Sequence, residues 1–334
     1  MASRVYPTTL KPYGQALVDV ARDRDDILCL TGDLTRQCEI DLFQEAYPER
    51  FIHAGMAEAN MMSMAGALAR RGHIPFVHTF GVFATRRPLD QIINSIAYPN
   101  LPVRIIGFMP GVSSPGGPSH QAIDDVALMR SIPNMTVVDV ADATETRQAL
   151  EAIVDVKGPV YMRLKRGEIP VIFDHDHDFR LDRAQVIREG RDLVIVASGM
   201  LVSAAIAAAE TLVAAGIDTA VVNVPVVKPL DTRTLLDTFA GARGVVTAEN
   251  HLVTGGLGSA VAETLAEAGL GIPLRRIGLL DTFAEGAKSA PSLFAKYGLG
   301  TVDIVGAAWE LVGNGTAAPA VEVPDLAAGE YAPV

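Results

Sequence analysis

The chain has 334 residues, more than one compact α/β domain of ordinary size holds, so two domains are expected. With 49% hydrophobic and 20% charged residues it reads as a packed globular protein, which excludes a disordered chain. A formal net charge of −11, with no basic cluster to offset it, argues against a nucleic-acid backbone as partner.

The N-terminal MASRVYPTTLKPYGQAL lacks the continuous apolar core of a signal peptide, and no apolar run reaches membrane-spanning length. The two cysteines, Cys29 and Cys38, have the spacing of neither a metal site nor a disulfide framework. A soluble protein of the reducing cytoplasm, with no membrane partner, is the expectation.

The first half alternates short apolar strands with amphipathic helices. DILCLTGD, RFIHAG, IPFVHTF, VRIIGF, MTVVDVA and GPVYMRL read as strands, with helical patterns over 42–47, 58–69, 88–96, 124–131 and 145–154. Such alternation predicts an α/β fold, a mostly parallel sheet covered on both faces. The pattern loosens at 169–188 into the acidic crossover IPVIFDHDHDFRLDRAQVIR. DLVIVASG, TAVVNVPVVKPLD, GVVTAEN and LRRIGLLD then form a second series, with helices over 201–215, 258–268 and 302–312. The expected organisation is a first domain over 1–178, a linker over 179–188, a smaller α/β domain over 189–315 and a loose tail over 316–334.

RFIHAGMAEANMM (50–62) reads as a strand, a glycine turn and a helix start, and it sets Glu58 among small or apolar neighbours. Burial disfavours the charged carboxylate and the helix N-terminus favours it. A group between opposing pulls suits proton exchange with a ligand. The same side chain could equally cap free helix amides.

Next in the chain, Phe80, Phe83 and Arg86 recur at intervals of three in HTFGVFATRR. On one side of a turn they would give two aromatic faces and a cation, a platform for a flat heteroaromatic ring. Two core phenylalanines are the plainer alternative. The loop GVSSPGGPSHQ (111–121) follows a strand at the edge where open α/β sheets place ligands, and His120 there is a proton donor or a loop pin. Arg163 and Arg166, in YMRLKRG, end another strand at that edge and suit an anionic group, or else surface ion pairing.

Three signals are discounted. Asp174-His-Asp-His-Asp178 resembles a metal tract but reads as solvated linker. Gly255-Gly-Leu-Gly-Ser259 lacks the full dinucleotide spacing and reads as helix–strand packing. Gly32-Asp33, with Asn60 downstream, continues with Leu34 where a metal–diphosphate signature has glycine, so no metal site is expected here.

Together these segments resemble the pyrimidine-binding and C-terminal domains of the transketolase family of thiamine diphosphate enzymes. RFIHAGMAEANM is similar to the stretch with the family's catalytic glutamate, which makes Glu58 that residue. HTFGVF resembles the aromatic clamp on the aminopyrimidine, which places Phe80, Phe83 and Arg86 at the cofactor. GGPSHQ resembles the substrate loop, which gives His120 and Gln121 to the substrate alongside Arg163 and Arg166. TAENHLVTGGLGSAVAE is similar to the start of the C-terminal domain.

The resemblance implies that Glu58 bonds a ring nitrogen of the cofactor and that His120 serves substrate oxygens, while thiamine diphosphate supplies the carbanion chemistry. The chain opens at the pyrimidine-binding domain, so it resembles the smaller subunit of a split transketolase. A partner subunit would then carry the Gly-Asp-Gly…Asn domain that binds magnesium and diphosphate, in an α2β2 assembly acting on sugar phosphates. Gly116, Gln37, Phe108 and Ala59 depart from the family's usual residues, which leaves donor and acceptor open. The arginines resemble those of deoxyxylulose-phosphate synthase. A 2-oxoacid dehydrogenase β subunit, a non-catalytic subunit and a nicotinamide oxidoreductase are the rival readings.

Overall fold

The structure, a computed structural model, describes residues 6–313 and 315–321. Its first half supplies strands β1 (Thr8–Leu10), β2 (Ile27–Thr31), β3 (Phe51–His53), β4 (Ile74–Phe80), β5 (Arg104–Phe108), β6 (Thr136–Asp139), β7 (Val160–Leu164) and β8 (Glu168–Pro170). The second half supplies β9 (Gln185–Arg188), β10 (Leu193–Ala197), β11 (Thr219–Asn223), β12 (Val226–Lys228), β13 (Gly244–Leu252) and β14 (Leu274–Leu279).

A seven-stranded sheet in the order β12-β6-β7-β5-β4-β2-β3 carries the first domain. It is parallel except for β12, which runs antiparallel to β6. β5 and β7 are buried along their whole length, as strands covered on both faces must be. On one face, Tyr13 and Leu17 from helix Pro12–Ala21 and Leu150 and Ile153 from helix Ala143–Ile153 join one core. On the other, Met61, Met62 and Ala65 of helix Glu58–Arg70 pack with Ile92, Ile96 and Met129. Each large side chain so buried contributes about 1.5–3 kcal/mol relative to exposure.

The second domain is a five-stranded sheet in the order β14-β13-β10-β11-β9, parallel but for its edge strand β9. Two differences from the sequence reading follow from edge pairing. Gln185–Arg188 lies within the expected linker yet pairs with β11, and Val226–Lys228 leaves its own half to pair with β6. Helices Pro12–Ala21, Thr232–Phe239 and Ala290–Lys296 were not expected. The expected loose tail is partly docked: the Trp309 indole donates to Thr316 O at 2.8 Å and Val321 packs on the second core. Residues 322–334 lie outside the described residues.

A buried polar cluster joins the two domains. Arg163 Nε and Nη2 donate to Asp125 at 2.8 and 3.1 Å, Nη1 donates to Asp139 at 3.0 Å, and Nη2 also reaches Asn250 O at 3.0 Å. Ser198 Oγ donates to Asp139 from the second domain at 2.8 Å. Burial by itself disfavours the charged guanidinium, but the carboxylates of Asp125 and Asp139 outweigh it and hold its pKa above the ordinary value.

Candidate active site

β3 ends at His53, the chain turns through Gly55 at φ +73°, and the helix Glu58–Arg70 begins. The turn needs a left-handed residue, which glycine adopts without strain. Ala57 at the N-cap makes no side-chain cap. Glu58 does not serve as the cap either: its side chain is 5% exposed and Oε1 accepts a hydrogen bond from Arg87 Nη1 at 2.8 Å.

Phe80 ends β4, and helix Gly81–Thr85 turns Phe83 beside it, with ring centroids 6.0 Å apart and planes 26° from parallel. The His120 ring lies edge-on to both, 5.3 Å from Phe83 and 6.3 Å from Phe80. The Arg87 guanidinium carbon sits 4.2 Å from the Phe83 ring centroid. Glu58, Phe80, Phe83, His120 and Arg87 thus form one cluster, assembled from three separate loops at the carboxyl ends of parallel strands.

The expected spacing of three fails at Arg86. The helix stops at Thr85, so Arg86 turns away and its Nε donates to both oxygens of Asp124, at 2.9 and 3.0 Å. Its neighbour Arg87, missed in the sequence, faces the cluster. The helix-stopping Pro88 directly after it was the available signal.

The loop carrying His120 is braced by the second domain. Asn250 Oδ1 accepts Val112 N–H at 2.9 Å, and Asn250 Nδ2 donates to Pro110 O at 3.0 Å. A Cβ at Gly111, which has φ +54°, would overlap the Asn250 side chain. Gln121 corrects another expectation. It is fully buried, and its Nε2 donates to Ser114 O at 3.0 Å and Glu285 O at 3.1 Å, so it closes the loop rather than facing a substrate. His120 Nδ1 lies 2.9 Å from Ser119 Oγ, so Nε2 is the ring nitrogen without a hydrogen-bond partner among the described residues.

The two arginines of YMRLKRG separate. Arg163, 1% exposed and held by Asp125 and Asp139, offers no free cation, so its assignment to an anionic substrate is corrected. Arg166 is half-buried on the turn after β7. That edge also borders a cavity of about 170 Å³ lined by Tyr13, Glu39, Asp142, Lys165, Met200 and Ser203. Burial pushes the Glu39 carboxyl up to about 7 and lowers the Lys165 amine. Phe108 is buried, edge-on to Tyr13 at 5.6 Å, and contributes no polar contact.

The discounted motifs resolve physically. The Glu249 carboxylate accepts Leu257 N–H and Gly258 N–H, each at 2.7 Å, so the chain itself fills the helix N-terminus where a nucleotide phosphate would bind. In the acidic tract, 174–176 are exposed as expected, but His177 is not merely solvated. It stacks on Phe173 at 4.1 Å and lies 3.2 Å from buried Glu145. Asp33 pairs with His53 at 3.2 Å. Among the described residues, no three His, Cys, Asp or Glu side chains cluster as a metal site requires.

The residues of the cluster have the chemistry to suit a flat aminopyrimidine: Phe83 has a ring face and Glu58 a buried carboxyl that could share a proton with an edge nitrogen. Comparison with known proteins agrees in kind. Residues 6–171 match the transketolase pyrimidine-binding domain and residues 182–304 the transketolase C-terminal domain. A transketolase family protein of Sinorhizobium fredii is 43% identical over 302 residues, covering 90% of this chain and 87% of that protein. The 6-deoxy-6-sulfo-D-fructose transketolase subunit SqwH of a Clostridium species is 41% identical over 300 residues, covering 90% and 92%. A 1-deoxy-D-xylulose-5-phosphate synthase of Parasynechococcus marenigrum is 33% identical over 280 residues, where the match spans 83% of this chain but 43% of that enzyme. A solved split-gene transketolase, an inactive beta4 tetramer, superposes with TM-score 0.84 at 42% identity over 90% of this chain and 97% of that one. With its sheets, its clustered Glu58 and Phe83 and these matches over nearly its whole described length, the chain belongs to the transketolase family.

Proposed function

We propose that this chain is the pyrimidine-binding and C-terminal subunit of a thiamine diphosphate-dependent split transketolase, cytoplasmic and active with a partner subunit. That partner would carry the magnesium–diphosphate domain, in an α2β2 assembly. The reaction is transfer of a two-carbon ketol unit between sugars that carry a terminal anion, sugar phosphates first among them. The observation that carries this reading is the buried Glu58 carboxyl joined through Arg87 to the ring face of Phe83, with the His120 ring 5.3 Å from Phe83.

When bound, thiamine diphosphate supplies the nucleophilic carbon for ketose cleavage and acceptor addition. The chain's own work is positional and electrostatic. Glu58 holds a proton against a pyrimidine ring nitrogen, Phe80 and Phe83 fix the ring plane, and His120 Nε2 exchanges protons with substrate oxygens. Arg166 remains the candidate for the substrate's anionic end, since Arg163 is committed to Asp125 and Asp139. The relative that acts as a 6-deoxy-6-sulfo-D-fructose transketolase subunit makes a sulfonate a second anion worth assaying.

The test is reconstitution with the partner subunit, assayed on a ketose phosphate with an aldehyde acceptor. Pyruvate with a lipoyl acceptor and pyruvate with an aldehyde phosphate are the comparison reactions. Glu58→Gln is expected to lower ketol transfer by about 10²-fold or more without changing assembly. Wild-type turnover in that variant, or activity confined to pyruvate, would sink the assignment. Similarity to deoxyxylulose-phosphate synthases keeps the pyruvate and aldehyde-phosphate reaction as the second reading.

A further inference from the structure

The residue that contacts Glu58 also covers Phe83. Arg87 donates through Nη1 to Glu58 Oε1 at 2.8 Å, and its Cζ stands 4.2 Å from the Phe83 centroid. A guanidinium is planar and delocalised, with N–H donors along its edge. An aminopyrimidine that shares Glu58's proton at its ring nitrogen would meet the same two groups in the same way, through a ring face and an edge donor. We propose that Arg87 is a displaceable occupant of the pyrimidine seat, which holds Glu58 and Phe83 in register until the cofactor ring replaces it. This rests on the cofactor reading above.

The two arginines of the turn differ in the way this role demands. Arg86 is fixed by Asp124 through its Nε and further held by Gln121 O. Arg87 reaches in from solvent: its side chain is 54% exposed while that of Glu58 is 5% exposed. Pro88 restrains the backbone just after it, so clearing the seat takes rotation of one side chain and no refolding of the turn. The pairing has a physical reason, because a buried carboxylate without a partner is costly. It also has a consequence. A ligand that must wait for a minor open state binds with an affinity reduced by the open fraction.

The experiment uses the assembled enzyme with its diphosphate-binding partner. Thiamine diphosphate is titrated by calorimetry at saturating magnesium, and association is followed by stopped flow, for wild type, Arg87→Ala and Arg87→Gln. The expected result is tighter binding in both variants, on the order of three- to tenfold for Arg87→Ala, chiefly through a faster association rate. A role confined to stabilising the turn predicts unchanged or weaker binding, and either result in both variants overturns the proposal. If the wild-type assembly binds no thiamine diphosphate, the cofactor reading fails and this inference falls with it. If wild type binds and the variants bind no tighter, this inference alone fails.

Discussion

Asn250 Oδ1 accepts the Val112 N–H at 2.9 Å while its Nδ2 donates to Pro110 O at 3.0 Å, so one side chain of the second domain holds both sides of a bend in the first. That bend opens the loop that delivers His120 to Phe83. The second domain thus acts on the candidate site at a distance, by fixing the loop's entry. Asn250→Ala removes both bonds and leaves a buried N–H unpaired, a cost of about 1–3 kcal/mol. Faster hydrogen exchange over 111–121 and roughly tenfold lower kcat/KM are expected, with thiamine diphosphate affinity unchanged. Unaltered exchange in that loop would remove Asn250 from the account.

Arg163 gives a stability prediction in place of the substrate role expected of it. Arg163→Met leaves Asp125 and Asp139 buried without their cation, and such a broken pair costs about 3–5 kcal/mol. Denaturant unfolding of the chain measures it. A loss below about 1 kcal/mol would mean that the cluster opens to water, as exposed pairs do.

The contrast among the arginines shows where the sequence was legible. Strands, most helices and Glu58 follow from periodicity and from one acidic residue in an apolar helix start. The short strands β9 and β12 were not readable as edge partners, because neither the pairing of β9 with β11 nor that of β12 with β6 of the other domain leaves a local pattern. Arg86, Arg87 and Arg163 look alike in a sequence. Helix termination at Thr85 decides which of the first two faces the site, and tertiary carboxylates from Asp125 and Asp139 bury the third. Asn250 had no signal at all, since its two acceptor and donor partners lie about 140 residues away.

Glu249 carries a prediction about the glycine-rich GGLGS loop. With its carboxylate bonded to Leu257 N–H and Gly258 N–H, the helix Leu257–Glu267 is already capped. NADH is expected to show no binding to this chain by calorimetry, and Glu249→Ala is expected to cost about 1–2 kcal/mol of stability. Saturable NADH binding would return the nucleotide reading to consideration.

Glu39 supplies a pH dependence whose sign differs from that of a salt-bridged carboxylate. Burial raises its pKa from 4.5 to about 7, and the Gly14 N–H bond to its Oε2 at 3.1 Å opposes that rise without cancelling it. Between about pH 4.5 and 7 the folded chain therefore keeps a proton that the unfolded chain has released, so this group's contribution falls as pH rises through the window and is level above it. Glu39→Gln keeps an acceptor for Gly14 and cannot ionise. Its stability relative to wild type should match near pH 4 and grow with pH, reaching about 3 kcal/mol above pH 7. Groups common to both proteins, such as the Asp26 carboxyl held down by Arg24, cancel in the difference. Urea unfolding of the pair at four or five pH values reads the curve. A difference that stays constant with pH would mean that Glu39 has the same pKa folded and unfolded, with water or a cation reaching the cavity it lines.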